Sequence, residues 1–213
     1  MTRFGSLILC ATLGSSLLAC GSSDSSTGST KDPLETVPVD NDVPGWTVDQ
    51  AHNQNPGQRA MVGHTFDEVT ALIDGGSDKY YTTDGAFTPK EFLWQNYKNT
   101  SLSSVPSPDV ATVKLYIFQM PSADQASGLY GRTLTDQDHK PYTWQDPTTP
   151  SVGTASRIAD TGSQWLFNFY KGVYYVEFSL TPSTGPESTN FAAGNVETKQ
   201  EAFRFAQAIA AKM

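Results

Sequence analysis

The sequence predicts an α+β domain: an antiparallel β-sheet built of hairpins and a meander, with about three helices packed on it. Three observations carry this. Val110 to Met120 alternates apolar and mixed side chains along one strand. Three further strand-like runs follow one another through tight joints between residues 153 and 180. The chain ends on an amphipathic stretch from Val196 to Met213. Antiparallel strands with helices on the sheet define the class.

Taken in order, the fold is expected to begin at Gly45-Trp46, because Trp46 is the first large aromatic after a long polar stretch. Thr65-Phe66-Asp67-Glu68 has the form of a capping box, and Phe66, Val69, Leu72 and Ile73 follow on a helical stripe. Asp74-Gly75-Gly76 interrupts that helix, and Lys79-Tyr80-Tyr81 resumes it. Residues 87–98 carry Phe92, Trp94 and Tyr97 in imperfect alternation and are expected to pair with 110–120. In the latter, Val113, Leu115, Ile117 and Gln119 point one way and Lys114, Tyr116 and Phe118 the other.

Ser122 and Gln125 form a second capping box, opening a helix to about Arg132. Gly128 inside it implies close packing against a neighbour. Residues 133–152 are polar and Pro-rich and read as a long surface loop. The meander comprises 153–159, 164–170 and 173–180, joined by Asp160-Thr161-Gly162-Ser163 and by Lys171-Gly172. Ala202, Phe205, Ala206 and Ile209 form the buried stripe of the last helix. The predicted order is helix, two strands, helix, three strands, helix.

Ahead of the domain, Arg3 precedes an uncharged apolar run from Phe4 to Leu18, broken by Gly5, Gly14, Ser15 and Ser16. A bilayer-spanning helix needs about 20 predominantly apolar residues, so this run suits an export signal better than an anchor. Leu17-Leu18-Ala19-Cys20 resembles the lipobox of bacterial lipoproteins. The resemblance implies a diacylglyceryl group on the Cys20 thiol, cleavage between Ala19 and Cys20, and attachment to a membrane through lipid. One acyl chain holds only marginally, whereas the two or three of such lipoproteins hold firmly. Gly21, rather than Asp, after the cysteine favours the outer membrane by the sorting rule of that family. The Ser/Thr/Asp/Pro-rich residues that follow read as a flexible tether. The expected organisation is therefore a signal over 1–19, a lipidated cysteine and tether over 20–45, and one domain over 46–213.

Two short segments resemble an uncharacterised bacterial envelope family. Asp74-Gly75-Gly76-Ser77-Asp78-Lys79-Tyr80 is similar to that family's Asn-Gly-Gly/Ala-Ala-Asp/Glu-x-Tyr segment, with Asp for Asn and Ser for Ala. Pro121-Ser122-Ala123-Asp124-Gln125-Ala126-Ser127-Gly128-Leu129-Tyr130 is similar to its second helix, with Ser127 in place of Phe. The resemblance implies a fold and a compartment and brings no activity.

Composition excludes several functions. The 213 residues carry a formal charge of −8 and no Lys/Arg cluster, so nucleic acid and anionic lipid surfaces are poor partners for the domain. The two cysteines are Cys10 and Cys20. The first leaves with the signal and the second is expected to bear lipid, leaving the domain neither disulfide nor cysteine chemistry.

The familiar catalytic patterns fail one by one. Asp160-Thr161-Gly162-Ser163 resembles the catalytic loop of aspartic proteases, but that chemistry needs two aspartates sharing a proton. A single copy reads as a hairpin turn. His52, His64 and His139 show no metal-ligand spacing, and Asp136-Gln137-Asp138 is too short for a calcium loop. No nucleophile elbow or phosphate-cradling loop is present. Asp74, Asp78 and Asp84 gather around the Gly-Gly break and are candidates for a small cation or polar-ligand site, against the reading that the glycines simply end a helix. The sequence thus leans away from an enzyme, implies no cofactor, metal or catalytic residue, and points to an envelope module that binds a protein or a small ligand. A hydrolase with a site assembled from loops and a purely structural accessory are the alternatives. A pocket joining two carboxyls, or a carboxyl and a histidine, would favour the enzyme. A flat surface, or an open sheet face lined by Tyr and Phe, would favour binding.

Overall fold

A computed structural model describes residues 31–52, 60–73, 77–81, 87–99, 111–135, 142–146, 151–182 and 196–213. Eight strands form one antiparallel sheet: β1 (Thr47–Val48), β2 (Met61–Gly63), β3 (Glu91–Asn99), β4 (Ala111–Gln119), β5 (Trp144–Gln145), β6 (Ala155–Asp160), β7 (Trp165–Lys171) and β8 (Tyr174–Thr181). Their order is β1-β3-β4-β8-β7-β6-β5, with β2 also on β3. The helices are α1 (Pro33–Thr36), α2 (Phe66–Ile73), α3 (Ala123–Arg132) and α4 (Val196–Lys212). The α+β class and the β3–β4 pairing are as the sequence predicts. The meander closes the sheet because β8 pairs with β4 along eight residues, so the N-terminal hairpin and the C-terminal meander share one surface.

Alternation along each strand divides the core in two. On one face Leu93, Leu115, Phe167, Val176 and Phe178 pack beneath Ala202, Phe205, Ala206 and Ile209 of α4. On the other, Phe92, Phe118 and Tyr175 pack beneath Val69 of α2 and Ala126 and Leu129 of α3. Burial of both faces supplies most of the driving force, and each ring adds a large apolar area.

The caps explain where the helices begin. Thr65 Oγ1 accepts from Glu68 N, and Glu68 Oε2 accepts from the N–H groups of Thr65 and His64. The His64 N–H chiefly holds the Glu68 carboxyl below its ordinary pKa. The second box is only half made. Ser122 Oγ accepts from Gln125 N, but Gln125 Oε1 is buried without a partner. Gly128 does pack closely, since a Cβ there would lie 2.8 Å from the Phe87 ring.

Several expectations need correction. Residues 31–45 are part of the fold rather than tether. Asp32 caps α1, Val37 and Val43 are buried, and Tyr97 Oη donates to Pro38 O at 2.9 Å. Lys212 pairs with Asp42 at 2.7 Å. The polar composition of this stretch hides a few well-spaced apolar anchors that seat on α4 and β3. Residues 20–30 of the expected tether, and the signal, lie outside the described residues. The expected helical resumption at 79–81 is a 3-10 turn over Ser77–Lys79, after which Tyr80 and Tyr81 enter the second core. Trp144–Gln145, placed in a loop by its polarity, adds a short edge strand to β6. The β7–β8 joint is Gly172-Val173, because Lys171 pairs with Tyr174.

Candidate functional site

The second face of the sheet changes character along the strands. Register places Phe92, Phe118, Tyr175 and Tyr170 side by side in one row across β3, β4, β8 and β7. This row lies in the aromatic core under α2 and α3. Two residues along each strand, the next row reads Trp94, Tyr116, Glu177, Asn168 and Arg157. The row after that reads Asn96, Lys114, Ser179 and Leu166. The face therefore passes from apolar to polar within two pleats, each step being one side-chain repeat of a strand.

The middle row is a buried polar network. Tyr80 Oη donates to Glu177 Oε1 at 3.0 Å, and Tyr175 Oη donates to Glu177 Oε2 at 2.9 Å. Burial, and next the Glu177 charge, push both phenols well above their ordinary pKa, so they remain donors at neutral pH. The Asn168 amide lies 3.1 Å from Tyr175 Oη. At the far end Arg157 is 1% exposed and donates from Nη2 to Thr133 Oγ1. Its guanidinium lies between the rings of Tyr130, at 4.2 Å, and Trp144, at 4.8 Å. Nε and Nη1 have no hydrogen-bond partner, so the two ring faces offset part of the desolvation of this cation beside the bonds made by Nη2.

The outer rows line two adjoining hollows. One, of about 460 Å³, is bordered by Trp94, Asn96, Thr112, Lys114, Ser179 and Thr181. The other, of about 290 Å³, is bordered by Lys79, Lys114, Tyr116, Tyr142, Leu166 and Glu177. Lys114 borders both. Its ammonium lies 4.9 Å from the Trp94 ring centre and 5.3 Å from that of Tyr116. Desolvation, and next the charge of Lys79, lower its pKa. Trp94 is itself oriented, donating from Nε1 to Asn96 Oδ1 at 3.0 Å.

The carboxylates here do not form a catalytic pair. Both oxygens of Glu177 accept from phenols, while Asp49, on the rim of the larger hollow, pairs with Lys98 at 3.4 Å. What the cleft offers is ring faces, an ammonium pair, amides and hydroxyls. Chemically, that inventory can hold and orient a small polar molecule.

Of the residues singled out in the sequence, Asp78 is exposed on the 3-10 turn, and its carbonyl accepts from Arg132 Nη2 at 3.1 Å. Asp74 and Asp84 lie outside the described residues, as do Ala19 and Cys20 and the acidic loop at 136–138. His64 is exposed, His139 lies outside the described residues, and of the His52 side chain nothing is described. Among the described residues no group of three metal-ligating side chains occurs. Asp160 caps the β6–β7 turn: its Oδ1 accepts from Gly162 N at 2.7 Å, and Gly162 takes φ +83°. The cleft residues themselves were missed. Glu177 carried a usable signal, being a lone acid inside the apolar run Tyr174–Leu180, where alternation buries it.

No family model and no curated protein matches the chain. The envelope-family resemblance of residues 74–80 and 121–130 thus has no family model behind it. Among solved structures, the extracellular domain of PknH from Mycobacterium tuberculosis matches at 13% identity and a TM-score of 0.35, over 77% of this chain and 80% of that one. A likeness of that grade fixes neither topology nor function. No helix among the described residues is long and apolar enough to cross a membrane.

Proposed function

We propose that this chain is a binding module whose site is the aromatic and polar cleft on the sheet face opposite α4. The observation that carries the reading is the row sequence on that face. Aromatics buried under α2 and α3 give way to Trp94, Tyr116 and Lys114 around hollows of about 460 and 290 Å³. The larger lies within the range of roughly 300–1,000 Å³ typical of small-ligand sites. Rigid strands hold these side chains, so the surface is organised before a ligand arrives. The lipobox resemblance at Leu17-Leu18-Ala19-Cys20 supports placing the module at a bacterial membrane through lipid on Cys20, and Gly21 favours the outer one.

Ligand-observed NMR of a small-molecule fragment set against the full chain tests the binding reading. Hits are expected on the native protein and lost in the Trp94→Ala/Tyr116→Ala double variant. Hits that survive in the variant place binding elsewhere and defeat the proposal.

A further inference from the structure

The charges of the cleft are matched within the protein. Asp49 and Glu177 border the same two hollows as Lys79 and Lys114. Asp49 pairs with Lys98 at 3.4 Å. Glu177 accepts from Tyr80 and Tyr175, and its charge favours the ammonium of exposed Lys114. A charged ligand would therefore lose hydration and find no uncompensated opposite charge in return. A neutral ligand avoids that loss and is held by hydrogen bonds and ring contacts alone.

The neutral groups of the cleft are those a sugar uses. Each hollow has its own aromatic wall, Trp94 in the larger and Tyr116 with Tyr142 in the smaller, and Gln164 and Ser179 border both. Hydroxyls and carboxamides both donate and accept, which matches a polyol, whose every hydroxyl does the same. Thr181 Oγ1 donates to Gln164 Oε1 at 3.4 Å, which leaves the Gln164 amide N–H groups as donors. The Lys114 ammonium lies 4.9 and 5.3 Å from the Trp94 and Tyr116 ring centres, and as an exposed side chain it yields those faces to a ligand. Ring faces beside a few placed polar groups take up a pyranose through its C–H faces and its hydroxyl edge. Two walled hollows that meet at shared polar side chains fit two successive rings. Resting on the binding reading above, we infer that the cleft takes a neutral saccharide of at least two pyranose rings, one against Trp94 and the next against Tyr116 and Tyr142, with the glycosidic link beside Gln164 and Ser179.

The test titrates the full chain with glucose, glucuronate, protonated glucosamine and three neutral disaccharides (maltose, cellobiose and di-N-acetylchitobiose), following the Trp94 indole N–H signal by NMR. At least one neutral disaccharide is expected to bind ~10-fold more tightly than glucose, and the two charged sugars no more tightly than glucose. Tyr116→Ala and Gln164→Ala should each weaken that disaccharide by roughly 3- to 10-fold, whereas Tyr116→Phe, which keeps the ring, should retain it. A charged sugar that binds more tightly than every neutral one overturns the neutral class. Disaccharides that bind no better than glucose overturn the two-ring site, as does a Gln164→Ala variant of native affinity. No shift with any sugar, beside fragment hits that the Trp94→Ala/Tyr116→Ala double variant loses, overturns the saccharide inference and leaves the binding reading standing. Fragment hits that survive in that double variant are the separate result that removes the binding reading itself.

Discussion

Gly153 has little room for change. Its φ is +63°, and a Cβ would stand 2.5 Å from the Tyr170 carbonyl oxygen, the same oxygen that accepts from Thr154 N. Left-handed backbone costs an L-residue roughly 1–2 kcal/mol, and here a backbone clash adds to it. Gly162 shares the positive φ but has open space around it. Gly153→Ala should therefore lose upward of ~2 kcal/mol and Gly162→Ala about 1 kcal/mol, read as denaturant midpoints. Equal losses would show that the carbonyl contact does not matter. The tyrosines set the alkaline limit. Tyr80 and Tyr175 have folded-state values well above the ordinary one, chiefly through burial, and burial pushes Tyr81 up to about 12. Below pH ~10 both states keep these protons and the contribution to stability is whole. Above it the unfolded chain releases protons that the native fold retains, so stability falls by ~1.4 kcal/mol per pH unit for each fully buried tyrosine. Tyrosinate absorbance from the buried tyrosines should appear together with loss of near-ultraviolet circular dichroism. Ionisation of all tyrosines near pH 10 in a still-folded protein would contradict the burial of Tyr80 and Tyr175.

Among the elements, α1 and the turn that leads into β1 decide where the domain starts. Trp46 is 1% exposed, donates from Nε1 to Glu201 at 3.1 Å and meets Phe205 edge-on at 5.5 Å. Trp46→Ala should cost about 3–5 kcal/mol, as large-to-small changes in a core do. Deleting 31–45 should also lower the thermal midpoint, because it uncovers α4. An unchanged midpoint would restore those residues to the tether. The sequence read these elements unevenly, for physical reasons. Strands β3, β4, β7 and β8 were legible because each is a run of seven or more residues rich in aromatic and branched apolar side chains. Strands β1, β2 and β5 hold two or three residues, too few for a period, and exist only by pairing with a longer neighbour. Composition misled at 31–45, where a handful of anchors outweigh many polar neighbours.

At the scale of the whole molecule, the sheet carries α4 on one face and, on the other, α2 and α3 over an aromatic core beside the polar cleft. The helix face was legible from the stripe of Ala202, Phe205, Ala206 and Ile209, all fully buried. The cleft was not, because it is a property of register. Trp94, Tyr116 and Glu177 stand at unrelated places in the chain and meet only because β4 pairs with both β3 and β8. The proposed attachment is a separate matter and rests on the lipobox resemblance of Leu17-Leu18-Ala19-Cys20. Cys20→Ala should abolish incorporation of radiolabelled fatty acid and release the protein from membranes, and persistent labelling would remove the anchor from the proposal. We propose that this molecule binds on the cleft face of its sheet. The most direct measurement is a ¹H–¹⁵N shift map of the full chain with its best fragment hit. The perturbed amides should cluster on β3, β4 and β8 around Trp94, Lys114 and Glu177, and perturbations gathered on α4 or scattered over the surface would contradict the account.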